Sequence, residues 1–240
     1  MTTSSNVPSI LPIVPTQRLF ARTAERIFLL IQERGLEAGQ KLPSEAELVS
    51  LLNVSRPTIR EALVALEVVG AVTVRKNVGA LVGSQQYFPS SLIDTDEAGP
   101  FEQLEARFAL EPASAALAAQ RRADYVCDAL EETIVYMLEE HAEGFQTEIG
   151  DRNFHLLIAK ACGNALIERS ITQLWKMRER SQLWPQLQKL VEIQKWRSKA
   201  VYEHMRILEA IRQQDAKAAH DAMLKHLESV KNSFDEAFPK

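Results

Sequence analysis

The run Asp151-Arg152-Asn153-Phe154-His155 sets a carboxylate and an imidazole four positions apart in an otherwise apolar stretch. On a helix the two share a face. That pairing suits three chemistries: half of an acid–base site, half of a metal site, or a core histidine with its hydrogen bond satisfied. The rest of the chain narrows the choice. His204 lies 11 residues before Asp215 and His226 lies 11 after it. If Asp215 marks the turn of an antiparallel helix pair, both imidazoles sit at one height and can face each other. Asp151, His155, His204 and His226 then form a candidate ligand set for a divalent ion, Zn²⁺ first, with Ni²⁺ or Mn²⁺ as alternatives. Taken singly, each histidine is more often a core or surface residue, and only the matched spacing raises the metal reading. His220 is six residues from His226, about 240° around a helix. It and His141 are read as surface residues.

A second set of residues has the chemistry of nucleic-acid recognition. In Ser55-Arg56-Pro57-Thr58-Ile59-Arg60, Ser55 caps a helix whose first turns carry Arg56, Thr58 and Arg60. Arginine makes bidentate contacts to guanine O6 and N7 in the major groove. Ser44 caps the preceding helix, whose open N–H groups suit a phosphate. Arg75 and Lys76, at a hairpin tip, are placed to reach phosphate or minor groove. The plainer alternative is a helix with solvated arginines. Arg107 also has two readings: a surface i,i+4 pair with Glu111, or an inward guanidinium that clamps a carboxylate ligand.

These residues need elements to hold them. Apolar periodicity over QRLFARTAERIFLLIQERG predicts a helix that stops at Gly35. Ser44 and Glu47 have the spacing of a capping box. Pro57 falls in the first turn of the next helix, where its missing N–H costs little. The alternating segments flanking Lys76-Asn77-Val78-Gly79 predict a short hairpin. Helix, helix, turn, helix, hairpin is a winged helix-turn-helix. From Pro100 onward helical periodicity dominates, with six or seven helices and no convincing strand. The fold class is therefore mainly α: an N-terminal winged helix-turn-helix followed by an all-α bundle. The expected boundaries are a lead-in over 1–15, a DNA-binding domain over 16–83, a linker over 84–99 and a sensing and dimerisation domain over 100–237.

Charge follows the same division. Net charge is −4, but residues 16–83 carry 9 Lys and Arg against 7 Asp and Glu, whereas 84–240 carry 19 against 25. A mildly basic head on an acidic body suits two domains with different partners. No apolar run is long enough to span a bilayer, and the N-terminus lacks the pattern of a secretory signal. Cys127 and Cys162 are too few for a disulfide framework. A cytoplasmic protein without a membrane partner is expected.

The run AGQKLPSEAELVSLLNVSRPTIREALVALEVVGAVTVRKNVGALV resembles the DNA-binding domain of GntR-family bacterial transcription regulators. It departs from them at Ala46, where many relatives have Arg, and at the wing tip, where Asn77 replaces a common Gly. Asparagine tolerates the left-handed conformation, and Asn77 is kept among the DNA-contact candidates. Residues 100–235 resemble the all-helical FCD effector domain of the FadR-type branch, through FEQLEARFALEPASAALAA, DRNFHLLIAKACGN, EHMRILEAIRQQDAKAA and MLKHLESV. The resemblance implies that Asp151, His155, His204 and His226 hold a metal and that Arg107 belongs to an effector pocket. Asn153, Asn164 and Trp184 are further pocket candidates, Trp184 because Pro185 can leave one ring face open. DEAGPFEQLEAR, WKMRERSQLWPQL and DAKAAHDAMLKHLESVK resemble hexuronate-utilisation repressors. The expectation is a homodimeric, ligand-responsive regulator of operator DNA with a small carboxylate effector. A metal-dependent hydrolase with a DNA-binding appendage, and an architectural DNA binder, are the rival classes.

Overall fold

The computed structural model describes residues 18–76, 78–85, 98–121, 124–144, 148–191 and 193–238. The N-terminal part consists of α1 (Leu19–Glu33), α2 (Glu45–Leu52), α3 (Arg56–Val68), β1 (Val72–Arg75) and β2 (Gly79–Val82). Leu19 to Glu33 form an amphipathic helix that buries Phe20, Ala24, Ile27 and Ile31, and this face packs on α3. Ser44 and Glu47 do close a capping box at the start of α2. Asn53 ends α2 in the left-handed conformation, with φ of 51°, which frees the chain to turn sharply into α3. Ser55 caps α3, accepting from Thr58 N, and Pro57 lies in its first turn. The two strands pair antiparallel with Val72 opposite Val82 and Arg75 opposite Gly79.

Seven helices follow among the described residues: α4 (Pro100–Gln120), α5 (Asp124–Ala142), α6 (Ile149–Ala161), α7 (Ala165–Arg180), α8 (Leu183–Leu190), α9 (Ile193–Arg212) and α10 (Ala216–Ala237). α4 is the central rod and packs against α6, α7, α9 and α10. Gln213, Gln214 and Asp215 join α9 to α10, with Asp215 capping α10 through Ala218 N at 2.9 Å. α9 and α10 therefore pack side by side. Pro185 lies inside α8, so the break it signals comes earlier, at Ser181 and Gln182. The core runs on from head to bundle in one apolar cluster that includes Ile27, Leu66, Phe101, Phe154, Leu187 and Phe234. No described helix is long and apolar enough to cross a membrane.

Head and bundle meet at a polar seam as well. The Glu61 carboxylate on α3 accepts from Phe101 N at 2.8 Å and Glu102 N at 3.3 Å. It thereby supplies the cap of α4 that Gly99, at the N-cap position, has no side chain to provide. A Cβ at residue 99 would collide with that carboxylate. Arg60 beside it pairs with Asp235 near the end of α10.

Candidate functional site

Asp151 and His155 come from α6, His204 from α9 and His226 from α10, and one ligand atom from each lies within 4.8 Å of the others. His155 Nε2 is 3.3 Å from His204 Nε2, and Asp151 Oδ1 is 3.1 Å from His204 Nε2 and 3.6 Å from His155 Nε2. A tetrahedral ion with bonds near 2.05 Å needs ligand atoms about 3.3 Å apart. The imidazoles are also turned the right way. His155 Nδ1 lies 2.9 Å from Glu111 Oε2, His204 Nδ1 2.7 Å from Ala200 O and His226 Nδ1 3.1 Å from Glu203 Oε2. For His204 and His226 the acceptor holds the proton on Nδ1, which leaves the Nε2 lone pair for the centre, whereas His155 Nδ1 is an ion-pair neighbour of Glu111 without a hydrogen bond to it. His226 Nε2 is buried without a hydrogen-bond partner, which is costly unless something is bound there. Phe154 is fully buried and stands edge-on to His204 at 4.6 Å, so it packs the core and fixes that ring.

The centre combines charged carboxylates with imidazoles of unlike charge preference: burial opposes charge on His155, but Glu111 beside it raises its pKa above the ordinary value. Burial opposes charge on Asp151, but His155 and His204, which face it through Nε2 and donate to it when those atoms carry a proton in place of an ion, outweigh burial and hold its pKa well below the usual range. Burial, then His204 and His155, push His226 well down, leaving it neutral. Burial also opposes charge on Glu111, yet Arg107 and then His155 bring its pKa down to about 2. The donors and their charges thus fit a divalent ion with nitrogen and oxygen ligands.

Arg107 is buried, which combines the two readings of it. It does pair with Glu111 at i,i+4, through Nε at 2.8 Å and Nη2 at 3.1 Å, but this pair lies in the core rather than on the surface. Nη2 also reaches to 3.3 Å from His155 Nε2. Arg107 lines a narrow cleft of about 20 Å³ with Glu148, Asp151, Arg178, Trp184 and His226. Arg178 is its counterpart: the guanidinium lies 4.6 Å from the Trp175 ring and 4.5 Å from the Trp184 ring. It pairs with Glu148 and stands 3.6 Å from Asp151.

The other pocket candidates divide. Trp184 reaches the cleft, but neither ring face is open: it is 3% exposed, and its Nε1 donates to Gln103 at 2.9 Å. Asn164 is exposed and caps α7 through Leu166 and Ile167 N–H groups, away from the cleft. Asn153 accepts from its neighbour Arg152 and does not line the cleft. Sequence reasoning passed over Arg178, Glu148 and Glu203. The Glu203-His204 doublet and Trp175 three residues before Arg178 were the available signals. The roomier cavity, about 670 Å³, lies between head and bundle. Its charged rim is mostly acidic, with Glu102, Glu105 and Glu228 against Lys231, so it repels a carboxylate.

On the head, Arg56 is 55% exposed at its side chain and 3.8 Å from Glu45. Ser44 and Ser55 are exposed caps, Arg75 and Lys76 are exposed at the hairpin, and Thr58 is buried at the edge of α3. Asn77 lies outside the described residues. Arg60 departs from expectation. It is only 6% exposed, held by Glu45 at 2.9 Å and by Asp235. In this arrangement it does not face solvent, because the end of α10 covers it.

A winged head and a histidine-lined bundle coincide with two family models: residues 19–82 match the bacterial regulatory proteins of the gntR family, and residues 102–229 match the FCD domain. The chain belongs to the GntR family. It is 37% identical over 229 residues to the Uxu operon transcriptional regulator of Escherichia coli (strain K12), covering 90% of this chain and 86% of that protein. It is 32% identical over 220 residues to the Uxu operon regulator of Haemophilus influenzae, covering 90% and 83%. The solved structure of E. coli McbR/YncC matches with a TM-score of 0.50 at 20% identity, over 91% of this chain and 97% of that one, a likeness of fold. This GntR-family chain is a transcription regulator, and its family and relatives are not enzymes. The hydrolase reading is set aside accordingly.

Proposed function

We propose that the chain is a cytoplasmic, homodimeric repressor that binds operator DNA and responds to a small carboxylate, a hexuronate or related sugar acid. The observation that carries this reading is the convergence of three Nε2 atoms and Asp151 beside Arg107 and Arg178, in the bundle attached to a DNA-binding head. Asp151, His155, His204 and His226 would hold a divalent ion, Zn²⁺ first and Ni²⁺ or Mn²⁺ as alternatives. The ion would supply Lewis-acid attraction for a carboxylate or hydroxyl oxygen. Glu111 and Glu203 orient the imidazoles, while Arg107 and Arg178 recognise the carboxylate. Two chains would present their recognition helices to the half-sites of a near-palindromic operator, with Ser44, Ser55, Arg56, Thr58, Arg75, Lys76 and Asn77 at or near the DNA.

The effector acts only through its differential affinity for two arrangements of the protein. The cleft beside His226, at about 20 Å³, is far below the roughly 300–1,000 Å³ typical of ligand pockets. Binding must therefore widen it, and its walls on α8 and α10 must move. Thermal-shift measurements with glucuronate, galacturonate and neutral sugars, on metal-loaded and chelated protein, test this. A shift specific to sugar acids, dependent on metal and abolished by His155→Ala, is expected. No shift with any sugar acid in either state would remove the effector reading.

A further inference from the structure

The recognition helix makes two contacts that DNA reading does not require. Adjacent residues of α3 reach different helices of the bundle: Glu61 caps α4, and Arg60 pairs with Asp235 of α10. Phe238, just past α10, lies with its ring centroid 5.4 Å from the Arg60 guanidinium. It also sits in a cleft with Lys41, Ser44, Glu45, Val78 and Gly79, between the start of α2 and the hairpin. The chain's last described residues thus reach Arg60 and the cleft between α2 and the hairpin on the head, while Arg56, Arg75 and Lys76 stay exposed.

We propose that the C-terminal end of α10 is an autoinhibitory latch, in which Asp235 and Phe238 occupy Arg60 of the recognition helix and keep it from DNA. Asp235 offers Arg60 a carboxylate where DNA would offer a phosphate oxygen or a guanine edge, and Phe238 covers the guanidinium face. Arg56, one turn earlier, has a side chain 55% exposed, so the masking is selective. The latch is also built to open. The Asp235 side chain is 41% exposed, so water competes for this pair, unlike the fully buried Arg107–Glu111 pair.

The same end of α10 forms one wall of the cleft beside His226. Val230, Ser233 and Phe234 line it, and Phe234 packs edge-on against Phe101 at 5.7 Å and Trp184 at 5.5 Å. Widening the cleft displaces the turn that carries Asp235. This link to effector binding rests on the function proposed above, whereas the latch itself does not.

The test uses the full chain, a DNA duplex enriched from a random pool by the wild-type protein, and fluorescence anisotropy at fixed salt without sugar acid. Asp235→Asn and Asp235→Asn/Phe238→Ala should each tighten binding, the double variant by about tenfold. Adding Arg60→Ala to either should erase the gain. Circular dichroism and thermal melting establish that the variants fold, and the isosteric Asp235→Asn stands by itself if Phe238→Ala does not. Unchanged or weaker binding by folded Asp235→Asn would make the contact structural glue and overturn the latch. Because no sugar acid is present, that failure is distinct from a failure of the effector reading.

Discussion

The interior of the bundle and the seam between bundle and head both bury arginine against carboxylate, but in different ways. In the interior, Arg107 and Glu111 sit one turn apart on one helix, and His155 closes the group from another. Each of these three residues is buried and held by polar contacts to the others, so the group resists rearrangement. At the seam, Arg60 and Glu61 draw partners from α10 and α4, far along the chain, and Asp235 remains half in water. The interior network has the character of a scaffold for a ligand centre, and the seam has that of a joint. A regulator needs both, because a signal must be held in one place and read out in another.

The largest effect expected is in the interior. Glu111→Ala leaves Arg107 buried without its counter-charge and His155 without its anchor, and should cost about 3–5 kcal/mol in urea unfolding. A cost below 1 kcal/mol would mean that the interior yields as readily as the seam. The second test is at the seam. Burial pushes the Glu61 carboxyl up to about 7, against the lowering effect of the Phe101 and Glu102 N–H groups. The folded state then holds a proton that the unfolded chain releases near 4.5, so stability from this group is complete below that pH and is lost as pH rises through about 7. The difference in stability between wild type and Glu61→Gln should change by up to about 3 kcal/mol across that window. A flat difference would take the seam out of the protein's pH response.

Smaller effects sharpen the division of labour. At a Zn²⁺ concentration a hundredfold above its Kd, stability should rise by about 2.7 kcal/mol, and His226→Ala should remove most of that gain in a thermal melt. Arg56→Ala should weaken operator binding by about 1–3 kcal/mol while leaving the metal-induced shift intact. Loss of both would show that the centre and the head are not separable. Smallest, Ser44→Ala breaks the capping box of α2 and should cost about 1 kcal/mol of stability in urea unfolding.

Much of this was legible because it is local. Helix caps at Ser44 and Ser55, the turn at Asp215, the stop at Gly35 and the hairpin follow from backbone chemistry within a few residues. The histidine centre was legible for a less obvious reason. Equal distances from the turn at Asp215 set the heights of His204 and His226, and a one-turn spacing set Asp151 beside His155. Glu203 and Arg178 were not legible in the same way. A charged residue on a helix reads as solvated unless its surroundings are known, and although Trp175 lies one turn before Arg178, nothing local announces that Trp184 and Glu148 close around it. Trp184 lines the cleft though its ring is closed in, and Asn164 lies away from it, for the converse reason. Pro185 continues a helix rather than exposing the ring, and Asn164 spends its side chain on a cap.

By itself the amino-acid sequence determined the two-part construction, the elements of the head and the residues able to converge on a cation, because periodicity, capping and turn spacing act over short distances. Only the tertiary structure decided whether each arginine is an instrument or a strut. Arg56 and Arg60 are one turn apart on the same helix and equivalent in sequence logic. Arg56 stays open, while α10, arriving from 175 residues further along the chain, takes Arg60. The side chain's role depends on what the folded chain brings against it, and that contact has no local signature.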